Sequence, residues 1–106
     1  MTRVRNSIKI ENMALTPEVA VERARTDLAQ RLGIEETEIK GAGVSDQEFP
    51  DMSLGAPLAG ELSAQMIASG WQILLDANGD RYEYRADKYQ LRLYDFEGGN
   101  YLLDVE

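Results

Sequence analysis

A chain of 106 residues is long enough for one domain and too short to bury two cores. Its formal charge of −8, from 11 basic and 19 acidic residues, repels phosphate backbones and anionic lipid, so neither nucleic acid nor a membrane is an expected partner. With no cysteine and no histidine, it cannot build a disulfide, a thiolate or imidazole-activated nucleophile, or the usual zinc and iron sites.

Residues 1–13 carry Arg3, Arg5 and Lys9 against Glu11 alone, a net of +2 that leaves −10 on the remainder. Charge alternates there with Val4, Ile8 and Ile10, and the apolar run of roughly 7 to 15 residues that marks a signal peptide is missing. Nor does any stretch reach membrane-spanning length. The segment reads as a basic arm, free to be flexible, ahead of a single α+β domain over 14–106, and a cytoplasmic location is expected.

A helix is predicted from Thr16 to Leu32. The Thr16 side chain can cap the free amides, and Pro17 has its φ pre-set for the first turn. Val21, Ala24, Leu28 and Leu32 share one face, whereas Glu18, Glu22, Arg25 and Thr26 fall elsewhere. Arg31 suits the negative end of the dipole, and Gly33 can close the helix in the left-handed region. Such a stripe packs on a core. The run Glu35, Glu36 and Glu38 that follows is expected to be a solvated turn, because acid–base carboxylates need a cleft that separates their pKa values. Two short extended pieces are predicted, Glu38 to Val44 and Ser63 to Ser69.

The stretch "WQILLDANGDRYEYRAD" holds Asn78-Gly79, the pair whose positive φ values suit a type I′ hairpin turn. Pairing outward sets Leu75 opposite Tyr82, Ile73 opposite Tyr84 and Trp71 opposite Ala86 on an apolar face. The other face then pairs Asp76 with Arg81, Gln72 with Arg85 and Leu74 with Glu83. Asp76, Asn78, Asp80 and Asp87 also mimic a calcium-loop spacing, but Arg81 stands where that loop needs glycine and the flanks alternate as strands, so no metal is expected. A second hairpin, "YQLRLYDFEGGNYLLDV", is predicted around Gly98, with Leu93 opposite Leu103 and Leu91 opposite Val105. Trp71 with Tyr82, Tyr84, Tyr89, Tyr94 and Tyr101 reads as core and cross-strand packing, since aromatic base-stacking platforms sit in positive grooves. The predicted fold is α+β: one N-terminal amphipathic helix packed on a curved antiparallel sheet of four or five strands built from hairpins.

Between the first strand and the hairpin lies "PDMSLGAPLAGEL", a connection from Pro50 to Leu62 longer than most. "FPDMSLGAPLAGELSAQ" followed by "GWQILLDANGDRYEYRAD" resembles a family of small uncharacterised bacterial domains with a D-x-S-L-G-C-P-x-P-G loop, then Q, G-Y-x-I-x-L and Y-x-Y-H. The likeness spans roughly Phe49 to Asp87, and the loop residues that carry it are Asp51, Ser53, Leu54, Gly55, Pro57 and Gly60. Gln65, Gly70, Trp71, Ile73, Leu75, Tyr82 and Tyr84 match beyond the loop. Ala56 stands where the family has cysteine and Arg85 where it has histidine, so any chemistry resting on those two is absent. The resemblance implies a fold and a candidate surface, without an activity.

Two readings of the loop stay open. It can be an Ω-like connection with Leu54 and Leu58 packed inward, or a preorganised segment that presents Leu54 to a partner. The expected function is a non-catalytic protein-binding or inhibitor-like module that meets an unknown protein through the loop and the sheet edge. The alternative is a small enzyme or ligand-binding domain that uses carboxylates and tyrosines. No catalytic residue, metal ligand or cofactor is assigned, and the oligomeric state stays open.

Overall fold

The computed structural model describes residues 14–105, and the basic arm read over residues 1–13 lies outside the described residues. The first element, α1, runs Pro17–Leu32. The Thr16 Oγ1 accepts the Val19 amide at 3.2 Å, Pro17 opens the first turn, and Gly33 closes the helix at φ 68°. Ala20, Ala24, Leu28 and Ala29 are buried, while Val21 and Leu32 flank this stripe at its half-buried margins. Three alanines in the stripe bring the helix close to the sheet beneath it.

A short 3-10 turn at Glu36–Glu38 leads into five strands. They are β1 (Lys40–Phe49), β2 (Ala68–Ala77), β3 (Asp80–Ala86), β4 (Gln90–Phe96) and β5 (Gly99–Val105), lying in the order β1-β2-β3-β4-β5. All pairings are antiparallel, so the sheet is an open meander with β1 and β5 as its edges. The predicted α+β architecture of one helix on a five-stranded curved sheet is therefore the observed one. No helix among the described residues is long and apolar enough to cross a membrane.

The first hairpin has the predicted register, with Trp71 opposite Ala86, Ile73 opposite Tyr84 and Leu75 opposite Tyr82. Asn78 and Gly79 turn it at φ 55° and 84°. Three expectations are corrected. The extended piece expected to end at Val44 begins at Lys40 and continues to Phe49; its glycines and acids make "KGAGVSDQEF" a poor strand on propensity, and pairing to buried β2 carries it. The piece expected at Ser63–Ser69 is strand only from Ala68 onward. In the second hairpin Leu93 lies opposite Tyr101 and Leu91 opposite Asp104, in place of Leu103 and Val105. The turn there is the pair Glu97-Gly98, at φ 52° and 87°, which closes Phe96 onto Gly99. Asp95 also adopts φ 52°, the register shifts on both sides of Arg92–Leu93, and the Asn100 Oδ1 accepts the Asp95 amide at 2.8 Å.

The sheet has two covered faces. One carries Ile73, Leu75, Tyr84, Ala86, Leu91 and Leu93 against α1 and forms the main core, with Trp71 and Tyr82 at its margin. On that side the Tyr84 hydroxyl donates to Asp27 at 2.8 Å; burial, and then that carboxylate, push the phenol far above its ordinary range. The opposite face carries Gln72, Glu83, Arg85, Gln90, Arg92 and Tyr94, and it meets the long β1–β2 connection. Gly70 at the start of β2 tolerates no side chain, because a Cβ there would sit 2.0 Å from the Ala86 carbonyl oxygen.

Candidate functional site

The connection from Pro50 to Leu62 is organised first by its own residues. The Asp51 Oδ1 accepts the Ser53 amide at 2.9 Å, the Ser53 hydroxyl at 2.6 Å and the Gly55 amide at 3.2 Å. These bonds, the Ser53 hydroxyl foremost, hold the Asp51 carboxyl below its usual range. The turn they define places Leu54 and Gly55 in succession at φ 62° and 65°. Gly55 is glycine for two reasons, since a Cβ would also stand 2.8 Å from Arg85 Nη1. Leu54 is fully buried with Phe49 and Ala68 in a second, smaller core, and Ser53 and Ala56 are buried beside it.

The polar side of the sheet then grips the loop by its carbonyls. Gln90 Nε2 donates to Met52, Arg85 Nη1 to Leu54 and Gly55, Arg92 Nη1 to Ala56, and Asn100 Nδ2 to Pro57. Arg92 also holds both carboxylate oxygens of Glu61 at 2.6 Å, and the Leu58 amide donates to Glu61 at 2.9 Å. The Arg92 bonds, reinforced by that amide, pull the Glu61 carboxyl from 4.5 to about 2. Arg85 is sandwiched further: its guanidinium lies 3.6 Å from the Tyr94 ring centroid, 5.5 Å from that of Phe49, and pairs with Glu83 at 2.7 Å. Stacking and charge-assisted bonds at one guanidinium make a stiff clamp.

The structure thus brings Asp51, Ser53, Leu54 and Gly55 together as one packed unit, while Pro57 and Gly60 stay exposed at its end, Gly60 in a turn at φ 77°. Leu54 has no exposed surface, so it is not an anchor held out to a partner, and Leu58 is half-buried. The two departures from the resembled pattern meet here, since Arg85 bonds the two carbonyls that precede Ala56. Gln90, Arg92 and Asn100, which grip the loop from the sheet, and Glu61 within it are not legible as site residues in the sequence. For Gln90 and Arg92 the signal is the alternation of β4, which marks them as facing away from Leu91 and Leu93 but does not say what covers them.

The glutamate run after α1 lies on the surface, where Glu35 and Glu38 cap their own turn and Thr26 donates to Glu36 at 3.2 Å. The calcium-like spacing is a plain hairpin: Arg81 pairs with Asp76 at 2.8 Å, and Asp87 accepts the amides of Tyr89 and Gln90.

The more open feature lies where the first turn of α1 approaches β1. A groove of about 540 Å³ is lined by Leu15, Thr16, Pro17, Asp46, Glu48, Trp71 and Lys88, among others. A second, apolar hollow adjoins it at Pro17 and adds Glu18, Val21 and Val44. Val44, Asp46 and Glu48 point to the same side of β1 as α1, because they pair with Ile73, Trp71 and Ser69 of β2. Asp46 and Glu48 make no ion pair among the described residues, and Val44 is 49% exposed. Beside this groove runs the outer edge of β1, a ten-residue strand with no neighbour among the described residues.

Fold and groove define a small α+β domain with one helix over an antiparallel meander and an open acidic edge. The chain belongs to a family described as a domain of unknown function (DUF8738), whose model matches residues 21–93, from the second turn of α1 to the middle of β4. No curated protein and no solved structure matches it.

Proposed function

We propose that this domain is a cytoplasmic, non-catalytic protein-binding module that takes up an extended, basic segment of a partner protein along β1. The observation that carries this reading is the free edge of β1. Among the described residues, about half of the backbone donors and acceptors along its ten residues, those turned away from β2, lie open there, and an open strand edge is a template for pairing with another chain. The residues beside it set the partner's chemistry. Glu18, Asp46 and Glu48 favour a cationic segment, and Val21, Val44 and Trp71 offer apolar contact to its alternate side chains.

The carboxylates that the fold perturbs argue in the same direction. Asp51 and Glu61 are both held in the ionised form by internal bonds, whereas a catalytic acid or base needs its pKa moved towards neutrality. Among the described residues no group of three or more Asp and Glu is placed to hold a metal ion.

Selection of a displayed random-peptide library on the purified chain tests the reading. Selected peptides are expected to alternate apolar and basic residues and to lose binding to the double variant Asp46→Lys/Glu48→Lys and to Val44→Lys, which puts a charge on the edge. Peptides without basic character, or ones that bind these variants as well as wild type, would overturn it.

A further inference from the structure

We infer that the first occupant of this groove is the chain's own segment Arg3–Ile10, which makes the arm an internal competitor for the partner. This rests on the reading of the groove as a site for a basic extended segment. The location of the chain supplies the first argument. Residues 1–13 join the described fold at Ala14, and the next two residues, Leu15 and Thr16, already line the groove. At about 3.3 Å per residue of extended chain, the eight residues Arg3–Ile10 are longer than the five-residue stretch Val44–Glu48 that walls the groove.

Charge and pattern supply the second argument. Arg3, Arg5 and Lys9 are three of the chain's 11 basic residues, gathered in one short stretch of sequence, and the groove and its adjoining hollow hold Glu18, Asp46 and Glu48 against the single cation Lys88. Val4, Ile8 and Ile10 occupy the even positions and the cations the odd ones, so a strand of this sequence has one apolar row and one basic row. The groove has both complements, in Val21, Val44, Pro17 and Trp71 and in the three carboxylates. Tethering raises the local concentration of such a segment to about 1 mM, so even weak intrinsic affinity suffices for occupancy.

The test uses the full chain and a synthetic peptide of residues 2–11 (TRVRNSIKIE) as the probe, titrated calorimetrically. Wild type is compared with the full-length variant Arg3→Glu/Arg5→Glu/Lys9→Glu, whose fold is checked by circular dichroism. The variant is expected to bind the peptide about tenfold more tightly, the factor by which a tethered competitor at millimolar effective concentration weakens a probe whose affinity is near 100 μM. Fluorescence of Trp71, the one tryptophan, should shift between the two chains without added peptide. Equal affinities would overturn the occupancy of the groove by the arm and leave the groove reading standing. Absence of binding to either chain, or binding to the variant that survives Asp46→Lys/Glu48→Lys, would overturn both. If wild type sediments as a dimer that the arm variant dissociates, the arm sits in a second copy and the intramolecular proposal fails.

Discussion

Arg92 on β4 and Glu61 in the β1–β2 connection form a two-pronged ion pair in which Nη1 meets Oε1 and Nη2 meets Oε2, both at 2.6 Å. Arg92 is almost wholly buried, with 4% of its side chain exposed against 23% for Glu61. The pair ties the end of the loop to the middle of the sheet and orients the guanidinium for its further bond to Ala56.

Acid should release this tie. A carboxylate whose pKa is depressed on folding contributes stability that is whole above its unfolded value and is lost as pH falls through the folded one. For Glu61 that window runs from 4.5 down to about 2, and the lowered Asp51 acts in the same direction. The melting temperature is expected to hold from neutral pH to about 5 and to fall below about 4.5. Glu61→Gln should already melt lower at neutral pH, by less than the roughly 3–5 kcal/mol of a fully buried broken pair because Glu61 keeps some solvent. A difference between the two proteins that is the same at neutral pH and near pH 2 would sink this account.

Leu54 is expected to be a stability residue. Truncation to alanine in a packed site costs about 2–5 kcal/mol, and Leu54→Asp should cost more, since it sets an unpaired carboxylate among Phe49, Ala68 and Met52. Thermal melting of both variants measures this. A Leu54→Asp chain that melts with wild type would show that the loop can leave the sheet at no cost.

Gly79 and Gly70 should respond to alanine for different reasons. Gly79 has open space around it and a φ of 84°, so Gly79→Ala meets only backbone strain and should cost about 1 kcal/mol. At Gly70 the added Cβ would collide with the Ala86 backbone, and neither strand can yield without breaking the ladder. Denaturant midpoints should fall modestly for Gly79→Ala and severely for Gly70→Ala, and the reverse order would disprove the register drawn here.

Tyr84 is expected to stay protonated for as long as the fold persists. Its folded pKa lies above the unfolded value of 10, so its contribution is whole below 10 and is lost as pH rises past it. Ultraviolet titration should show one tyrosine that ionises only with alkaline unfolding. Tyr84→Phe should remove that behaviour and cost about 1 kcal/mol through the lost bond to Asp27. Ionisation of every tyrosine in the folded chain would contradict it.

Features that act within a few residues were legible in the chain alone. Thr16, Pro17 and Gly33 delimit α1 because a capping hydroxyl, a pre-set φ and a left-handed residue act within one turn of chain. Asn78-Gly79 set the register of the first hairpin for the same reason, since a two-residue turn leaves each strand one partner. The second hairpin escaped because its register depends on two positive-φ residues that are not glycine, Asp95 and Glu97. Membership of the loop in a core was decided only by the tertiary structure. Period-two alternation says that Arg85, Gln90 and Arg92 face away from the helix, but water and a buried loop satisfy a guanidinium equally well. Only folding brings the carbonyls of Met52–Pro57 to these side chains, across more than 30 residues of sequence, and turns a polar sheet face into an interior one.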